Sequence, residues 1–323
     1  MRVAIAFSAQ RDDPDTDLHA AVAHLADALT ALGHTPVPVP LGLDVLAFWQ
    51  ALRAAAPDVI WNLCEEASGR PGRELHAAAL LELLDVPVTA TAAAELALCL
   101  DKSRSRVLLA AAGAAVPAAV RVAVGQPLPD VVPLPAIVKP TSQDGSAGID
   151  AQSVVHTRAQ AHAAVARLHA SGLGDALVEA YIAGRELNAL LLGPAGGPIR
   201  HLALGEVDFS QLPPDQPSIL TWAAKWQEDS AVYKRTPVQY PADVAPQLRA
   251  KIAELAERAF AALGLAGYAR LDLRVDAAGE PFIIDVNPNP DLSPDAGLVR
   301  ALPGAGLQFG DFVALQLQWA RVK

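Results

Sequence analysis

The chain has 323 residues, 52% of them hydrophobic and 19% charged, which is long enough for two or three packed units and too apolar for disorder. A formal net charge of -10 argues against nucleic-acid and anionic-membrane partners, because affinity for polyanions comes from Lys and Arg outnumbering carboxylates. The two cysteines, Cys64 and Cys99, have no metal-ligand spacing and fit a reducing compartment, where they are expected to be buried as small hydrophobes.

In chain order, the first apolar run, Val3 to Phe7, meets Gln10 to Asp13 and is shorter than a signal-peptide core of about 7 to 15 residues. Apolar runs then alternate with amphipathic stretches: Leu18 to Leu32, Val59 to Leu63, Glu74 to Leu84, Val86 to Thr89. This alternation predicts parallel strands joined by crossover helices, with the Pro-rich segment Pro36 to Pro40 as an edge strand or a turn. A helix is expected over Lys102 to Ala112, then strands over Ala118 to Val124 and Ala136 to Val138, and a polar Gly-containing loop over Thr141 to Gly148. The weakly apolar stretch Val107 to Val120, interrupted by Gly113 and Pro117, is too short for the roughly 20 residues of a membrane span. A cytoplasmic protein with no membrane partner is the expectation.

Further strands are expected over Asp175 to Ile182 and Glu186 to Leu192, with a turn at Gly184. Asp208 to Pro237 contains Pro213, Pro214, Pro217 and Pro237 and has no clean periodicity, which predicts a long ordered loop covering an active site. Val244 to Leu263 reads as a helix capped by Gly264.

Tyr268 to Asn287 is the most informative stretch, two alternating strands around a turn at Ala277 to Glu280. Leu271, Leu273 and Val275 alternate with Arg270, Asp272 and Arg274; Phe282, Ile284 and Val286 alternate with Ile283, Asp285 and Asn287. If the core faces coincide across a four-residue loop, Asp272 lies opposite Asp285 and Arg270 opposite Asn287. Two carboxylates facing each other at about 5 Å repel by roughly 3 kcal/mol at an effective dielectric near 20, which calls for a cation between them. Oxygen ligands of this kind suit magnesium. A solvated face on which Arg270 and Arg274 neutralise the aspartates stays open from the hairpin alone.

Asp285-Val-Asn-Pro-Asn-Pro-Asp-Leu-Ser-Pro294 and Tyr268-Ala-Arg-Leu-Asp272 resemble the metal-binding end of D-alanine-D-alanine ligase-like ATP-grasp enzymes. The resemblance extends backwards through Ala223-Ala-Lys-Trp226, Leu177-Val-Glu-Ala-Tyr-Ile-Ala-Gly-Arg-Glu186, Ile137-Val-Lys-Pro140 and Leu100-Asp-Lys-Ser-Arg104, from about residue 85 onwards. It implies an α/β ATP-grasp fold in three parts. These are an N-terminal pre-ATP-grasp α/β domain over 1–98, a central lobe over 99–182 and a C-terminal lobe with the metal site over 183–323, the two α+β lobes sandwiching ATP. Two magnesium ions are implied, manganese being the alternative: Asp272 and Asp285 on one, Asp285 and Asn287 on the other. Arg270 would face the reacting phosphoryl and acyl oxygens. Lys102 and Lys139 resemble the cations on the nucleotide phosphates, with Ser146 in a small-residue loop whose backbone N–H groups approach them. Glu179, Ala180 and Ile182 would form the adenine hinge, and Glu186 would hold the ribose hydroxyls. Lys225 would neutralise the terminal phosphates, with Trp226 beside the acceptor site.

The implied chemistry is phosphoryl transfer from ATP to a carboxylate, then attack of an amine on the acyl phosphate, without a covalent enzyme intermediate. The partners are a small-molecule carboxylate and amine, with a homodimer as the candidate assembly. The pattern departs from the family in three places. Phe7 leads into Ser-Ala-Gln-Arg-Asp-Asp-Pro-Asp in place of a Gly-rich turn with an ammonium-binding glutamate; Asp285 stands in place of Glu; and a later serine is replaced around Asp295 or Ala296. Glu65 and Glu66 are alternative substrate carboxylates, and Asp291 and Ser293 complete the substrate candidates. The leading expectation is an amino-acid or peptide ligase outside cell-wall synthesis, followed by a true D-alanine-D-alanine ligase. A non-catalytic ATP-binding module and a biotin-dependent carboxylase subunit are more distant.

Overall fold

The structure is a computed structural model that describes residues 1–9, 17–67, 70–227 and 229–320. The altered segment after Ala9 therefore lies outside the described residues. The strands β1 (Arg2–Ser8), β2 (Thr35–Leu41) and β3 (Val59–Leu63) form a parallel sheet in the order β2-β1-β3. Both faces of β1 are covered, which is why it reads as a continuous apolar run. Val3, Ile5 and Trp61 pack towards α1 (Asp17–Ala31), while Ala4, Ala6 and Ile60 pack towards α2 (Val45–Ala55). The prolines of β2 are tolerated because β2 is an edge strand and needs donors on one side only. The strand expected over Val86 to Thr89 reduces to a single bridge, Val88 to Ile60, because Pro87 has no N–H with which to extend the ladder.

A short hairpin, β4 (Glu66–Ala67) and β5 (Arg70–Pro71), leads into α3 (Glu74–Glu82), α4 (Ala93–Leu100) and α5 (Lys102–Ala111). The second sheet has the order β6-β9-β7-β8, from β6 (Ala119–Val122), β7 (Ala136–Pro140), β8 (Val154–Val155) and β9 (Ala176–Ala180), and is antiparallel throughout. It packs on α6 (Arg158–Ala170), which starts at a capping box between Thr157 and Gln160. β9 stops two residues before the expected Ile182.

The third sheet has the order β12-β11-β10-β13-β14, from β10 (Arg185–Gly193), β11 (His201–Val207), β12 (Val238–Gln239), β13 (Gly267–Val275) and β14 (Pro281–Asn287). One face, carrying Leu187, Ala189, Leu191, Leu271 and Leu273, is buried against α9 (Pro246–Ala262). Gly264, at φ +63, ends that helix with the N–H of Leu265 returning to the carbonyl of Phe260. The expected loop between Asp208 and Pro237 carries two short helices, α7 (Trp222–Trp226) and α8 (Ala231–Lys234). After β14, α10 (Gly297–Ala301) and α11 (Phe309–Trp319) follow, and α11 packs between α1 and the ring of Tyr268.

The β13–β14 hairpin keeps the expected pairing at its chemical end, with Asp272 opposite Asp285 and Arg270 opposite Asn287. The route differs. The turn has three residues, Ala277–Gly279, closed by Asp276, whose side chain accepts from the N–H groups of Ala278 and Glu280, and Gly279 takes φ +76. The extra residue sits in the strand as a bulge at Ile284, since Asp272 pairs with Asp285 while Leu273 pairs with Ile283. Ile283, not Ile284, therefore joins Val286 in the core, and Ile284 turns into the cleft between the second and third sheets.

Candidate active site

Strand register alone builds the polar face of the third sheet. Asn188 on β10, Asp272 on β13 and Asp285 on β14 lie in one row, with Leu190, Arg270 and Asn287 in the next and Glu186 opposite Arg274 in the row before. Asp272 accepts from Asn188 Nδ2 at 2.8 Å, from Arg270 Nε at 2.7 Å and from Arg270 Nη2 at 3.1 Å. Burial alone would raise the pKa of Asp272, but Arg270, Lys225 and Asn188 outweigh it and hold the carboxyl down at about 2. The same partnership overcomes the burial of Arg270 and keeps it firmly charged. Of the two arginines that the solvated-face alternative sets against the aspartates, Arg270 pairs with Asp272, and Arg274 pairs instead with Glu186, its Nη1 lying 2.9 Å from Oε2.

Lys102 is fixed at the first turn of α5 because the side chain of Asp101 caps that helix, accepting from the N–H groups of Ser103 and Arg104. Its Nζ reaches Asp285 Oδ1 at 3.0 Å, Asp144 Oδ1 at 3.2 Å and the carbonyl of Gln143 at 2.9 Å. Burial opposes its charge, and the two carboxylates reverse that and raise its pKa. Lys139 on β7 is 5% exposed and is held by Glu179 Oε1 at 2.7 Å and the carbonyl of Ile284 at 2.9 Å. The bulged residue thus contributes a carbonyl ligand to this ammonium.

Lys102, Lys139, Ser146, Glu179, Ala180, Ile182, Glu186, Lys225, Asp272 and Asp285 line one cleft between the second and third sheets. The loop over Thr141 to Gly148 is its roof, with Gly145, Ser146 and Gly148 at φ +62, +60 and +72. The successive left-handed residues Gly145 and Ser146 make a tight turn closed by the Ala147 N–H on the carbonyl of Asp144, and the Ile149 N–H returns to the carbonyl of Ser146. Trp226 crosses this roof. Its Nε1 donates to the carbonyl of Gly145 at 2.8 Å, and its ring would lie 3.1 Å from a methyl placed on Gly145. At 54% exposure it is no core residue.

A second cavity of about 1060 Å³ adjoins the first and shares Lys225 with it. Arg270, Asn287, Trp226, Glu65 and Asp291 line it. Two expected substrate residues are not among its walls. Glu66 is held through its backbone, in the β4–β5 hairpin and by the Ser8 hydroxyl, and Ser293 is 2% exposed with its hydroxyl donating to Asp291, so its oxygen is taken up by a local turn. The cavity also has walls that the sequence reading passed over, Glu74 and Asp144. Burial first, then Asp144 and Glu65, push the Glu74 carboxyl up from 4.5 to about 8, against the pull of Lys102.

Asp272, Asp285 and Asn287 offer only oxygen donors on one sheet face, a set that fits a hard divalent cation. No group of three or more His, Cys, Asp or Glu side chains poised to hold a metal occurs among the described residues. An ion here would be completed by phosphate oxygens and water, the usual coordination of magnesium at nucleotide sites.

A family model described as D-ala D-ala ligase C-terminus matches residues 121–318. The D-alanine-D-alanine ligase of Gluconobacter oxydans is 30% identical over 312 residues, covering 96% of this chain and 95% of that protein. The chain belongs to the D-alanine-D-alanine ligase family. It is thus an ATP-grasp enzyme, a ligase that forms carbon–nitrogen bonds between a carboxylate and an amine. Another relative, the uncharacterized protein y4sG of Sinorhizobium fredii, is 32% identical and covers 80% of this chain and 74% of its own length. In fold, the chain matches the D-alanine-D-alanine ligase from Bacillus anthracis complexed with ATP, at a TM-score of 0.71 and 16% identity over 99% of this chain and 97% of that one. Among the described residues no helix is long and apolar enough to cross a membrane.

Proposed function

We propose that this chain uses ATP and magnesium to join two small amino acids, activating the first as an acyl phosphate, and that D-alanine is its first substrate to test. Relatives named D-alanine-D-alanine ligase favour this reading over the ligase outside cell-wall synthesis expected from the sequence. The observation that carries it is the facing pair Asp272 and Asp285, flanked by Arg270 and Asn287, at the junction of the cleft lined by Lys102 and Lys139 and a larger cavity.

In this reading Lys102, Lys139 and the Thr141 to Gly148 loop hold the ATP phosphates, and Asp272, Asp285 and Asn287 hold the magnesium, which screens phosphate charge. The substrate carboxylate attacks the terminal phosphorus and ADP leaves. Arg270 and Lys225 offset the charge spread over the phosphoryl oxygens, worth far more in a water-poor cleft than in solvent. The amine then attacks the acyl carbon, phosphate departs, and the amide remains. Glu186 accepts the ribose hydroxyls, and the hinge Glu179 to Ile182 meets the base.

A second reading, a larger amino acid as one substrate, is favoured by the cavity itself. About 1060 Å³ slightly exceeds the roughly 300–1,000 Å³ range of small-molecule sites. The experiment is ADP release from Mg-ATP with D-alanine alone, then with D- and L-amino acids singly and in pairs, with product masses checked for loss of water. Turnover of D-alanine to its dipeptide is the expected result. No turnover with D-alanine and efficient coupling of a different pair would replace the first reading by the second.

A further inference from the structure

Arg274 is a buried cation in the nucleotide cleft that neither the metal face nor the phosphate lysines explain. It is 3% exposed, and its guanidinium meets three separate parts of the chain. On β10, Nη1 pairs with Glu186 Oε2 at 2.9 Å. In the hinge after β9, Nε donates to the carbonyl of Ile182 at 2.9 Å and Nη2 to the hydroxyl of Tyr181 at 3.3 Å, with the guanidinium 5.3 Å from the Tyr181 ring centre. In the segment between Asp208 and Pro237, Nη1 donates to the carbonyl of Ser218 at 2.8 Å, and the ring of Phe209 lies 5.9 Å away. That segment also brings Lys225 and Ile219 into the same cleft.

We propose that Arg274 is a positioning residue that ties Glu186, the Tyr181–Ile182 hinge and the lid segment 208–237 into one nucleotide-binding unit. The proposal rests on the reading of this cleft as an ATP site. Only a planar fork with donors on three nitrogens reaches a carboxylate, two carbonyls and a hydroxyl at once; a lysine ammonium is a single point on a flexible stem. Arg274 sets how Glu186 is presented, because it holds one carboxylate oxygen from the directly opposite strand position. It also makes the lid sensitive to the hinge, since the two grip adjacent nitrogens of one rigid group. Burial, with Asp272, pushes the Glu186 carboxyl up, and the nearby Arg274 and Lys225 oppose this without reversing it.

The test compares Arg274→Met, Arg274→Lys and Glu186→Gln by calorimetric Kd for ATP and by protease cleavage of the lid with and without Mg-ATP. Losing the charge-assisted contact that orients Glu186 weakens ATP binding in Arg274→Met by about tenfold or more, and Mg-ATP no longer protects the lid. Glu186→Gln weakens ATP binding but keeps lid protection at saturating ATP, because Arg274 still bridges hinge and lid. Arg274→Lys recovers part of the affinity without the protection. If Arg274→Met does not fold, the double variant Arg274→Met/Glu186→Gln removes both buried charges together; it is expected to match Glu186→Gln in affinity while losing protection. A folded Arg274→Met with wild-type affinity and intact protection, or a double variant with intact protection, overturns the proposal. Failure of the wild-type protein to bind Mg-ATP would instead remove the nucleotide reading on which it rests.

Discussion

Glu74 lies at the start of α3, on the wall of the larger cavity, with Asp144 and Glu65 as its acidic neighbours. A carboxyl raised from 4.5 to about 8 binds its proton more tightly in the folded protein than in the unfolded chain. Between those two values the folded state holds more protons, so stability falls as pH rises through this window and levels off above pH 8. The full shift corresponds to at most about 5 kcal/mol. Partial solvent access and relaxation of the neighbouring carboxylates reduce the expected effect to about 1–2 kcal/mol. Glu74→Gln keeps the shape and removes the charge. Urea unfolding should show no difference from wild type at pH 4 and a more stable variant at pH 8, with the gap opening across pH 5 to 8. A variant equal to or less stable than wild type at pH 8 would refute the burial argument.

The other predictions concern the site and its supports. Asp285→Ala should reduce ADP formation by at least about a hundredfold, since electrostatic groups at transferring phosphoryl centres contribute on that scale, while circular dichroism stays native; wild-type turnover would remove Asp285 from the site. Mg-ATP should slow hydrogen exchange around Lys102, Thr141 to Gly148 and Glu179 to Glu186, and unchanged exchange at saturation would contradict the nucleotide assignment. Gly205→Ala puts a methyl 2.2 Å from the Tyr240 ring, so the denaturation midpoint should drop by an amount equivalent to about 1–3 kcal/mol; an unchanged midpoint would mean the ring moves freely.

The hairpin was legible because strand alternation and a turn fix which side chains share a face, and that information is local. Even so, the alternation could not say whether the extra residue belongs to the turn or to the strand. Both choices set Asp272 against Asp285; the turn closed on Asp276 and the contact with Ala115, whose carbonyl accepts from the N–H of Ile283, distinguish them. Arg274 enters the sequence reading only in the alternative of a solvated face, as a neutraliser of the aspartates, whereas its partner Glu186 lies 88 residues earlier. Register between β10 and β13 pairs them, and no short-range pattern encodes that register. Glu74 stayed invisible for another reason: its chemistry comes from burial beside Asp144 and Glu65, which the chain acquires only on folding. Glu66 and Ser293 are the opposite case, polar residues next to the cavity in sequence that are not among its walls: the Glu66 backbone is tied to Ser8, and the Ser293 hydroxyl to the neighbouring Asp291. The lysines were found through the order of their motifs, and their anchoring by Asp144 and by the carbonyl of Ile284 was not.

The bulge at Ile284 makes two functions of the hairpin separable. With a three-residue turn, the ladder is in phase on both sides of Ile284, so a chain lacking that residue can still set Asp285 against Asp272 and Val286 against Leu271. What it gives up is the carbonyl that grips Lys139 and the side chain that enters the cleft. One inserted residue thus acts as a detachable bracket: the carboxylate pair belongs to the regular ladder, and the link to the lysine of the neighbouring sheet belongs to the insertion. Deleting a single codon would remove that link while leaving the carboxylates in register across the ladder.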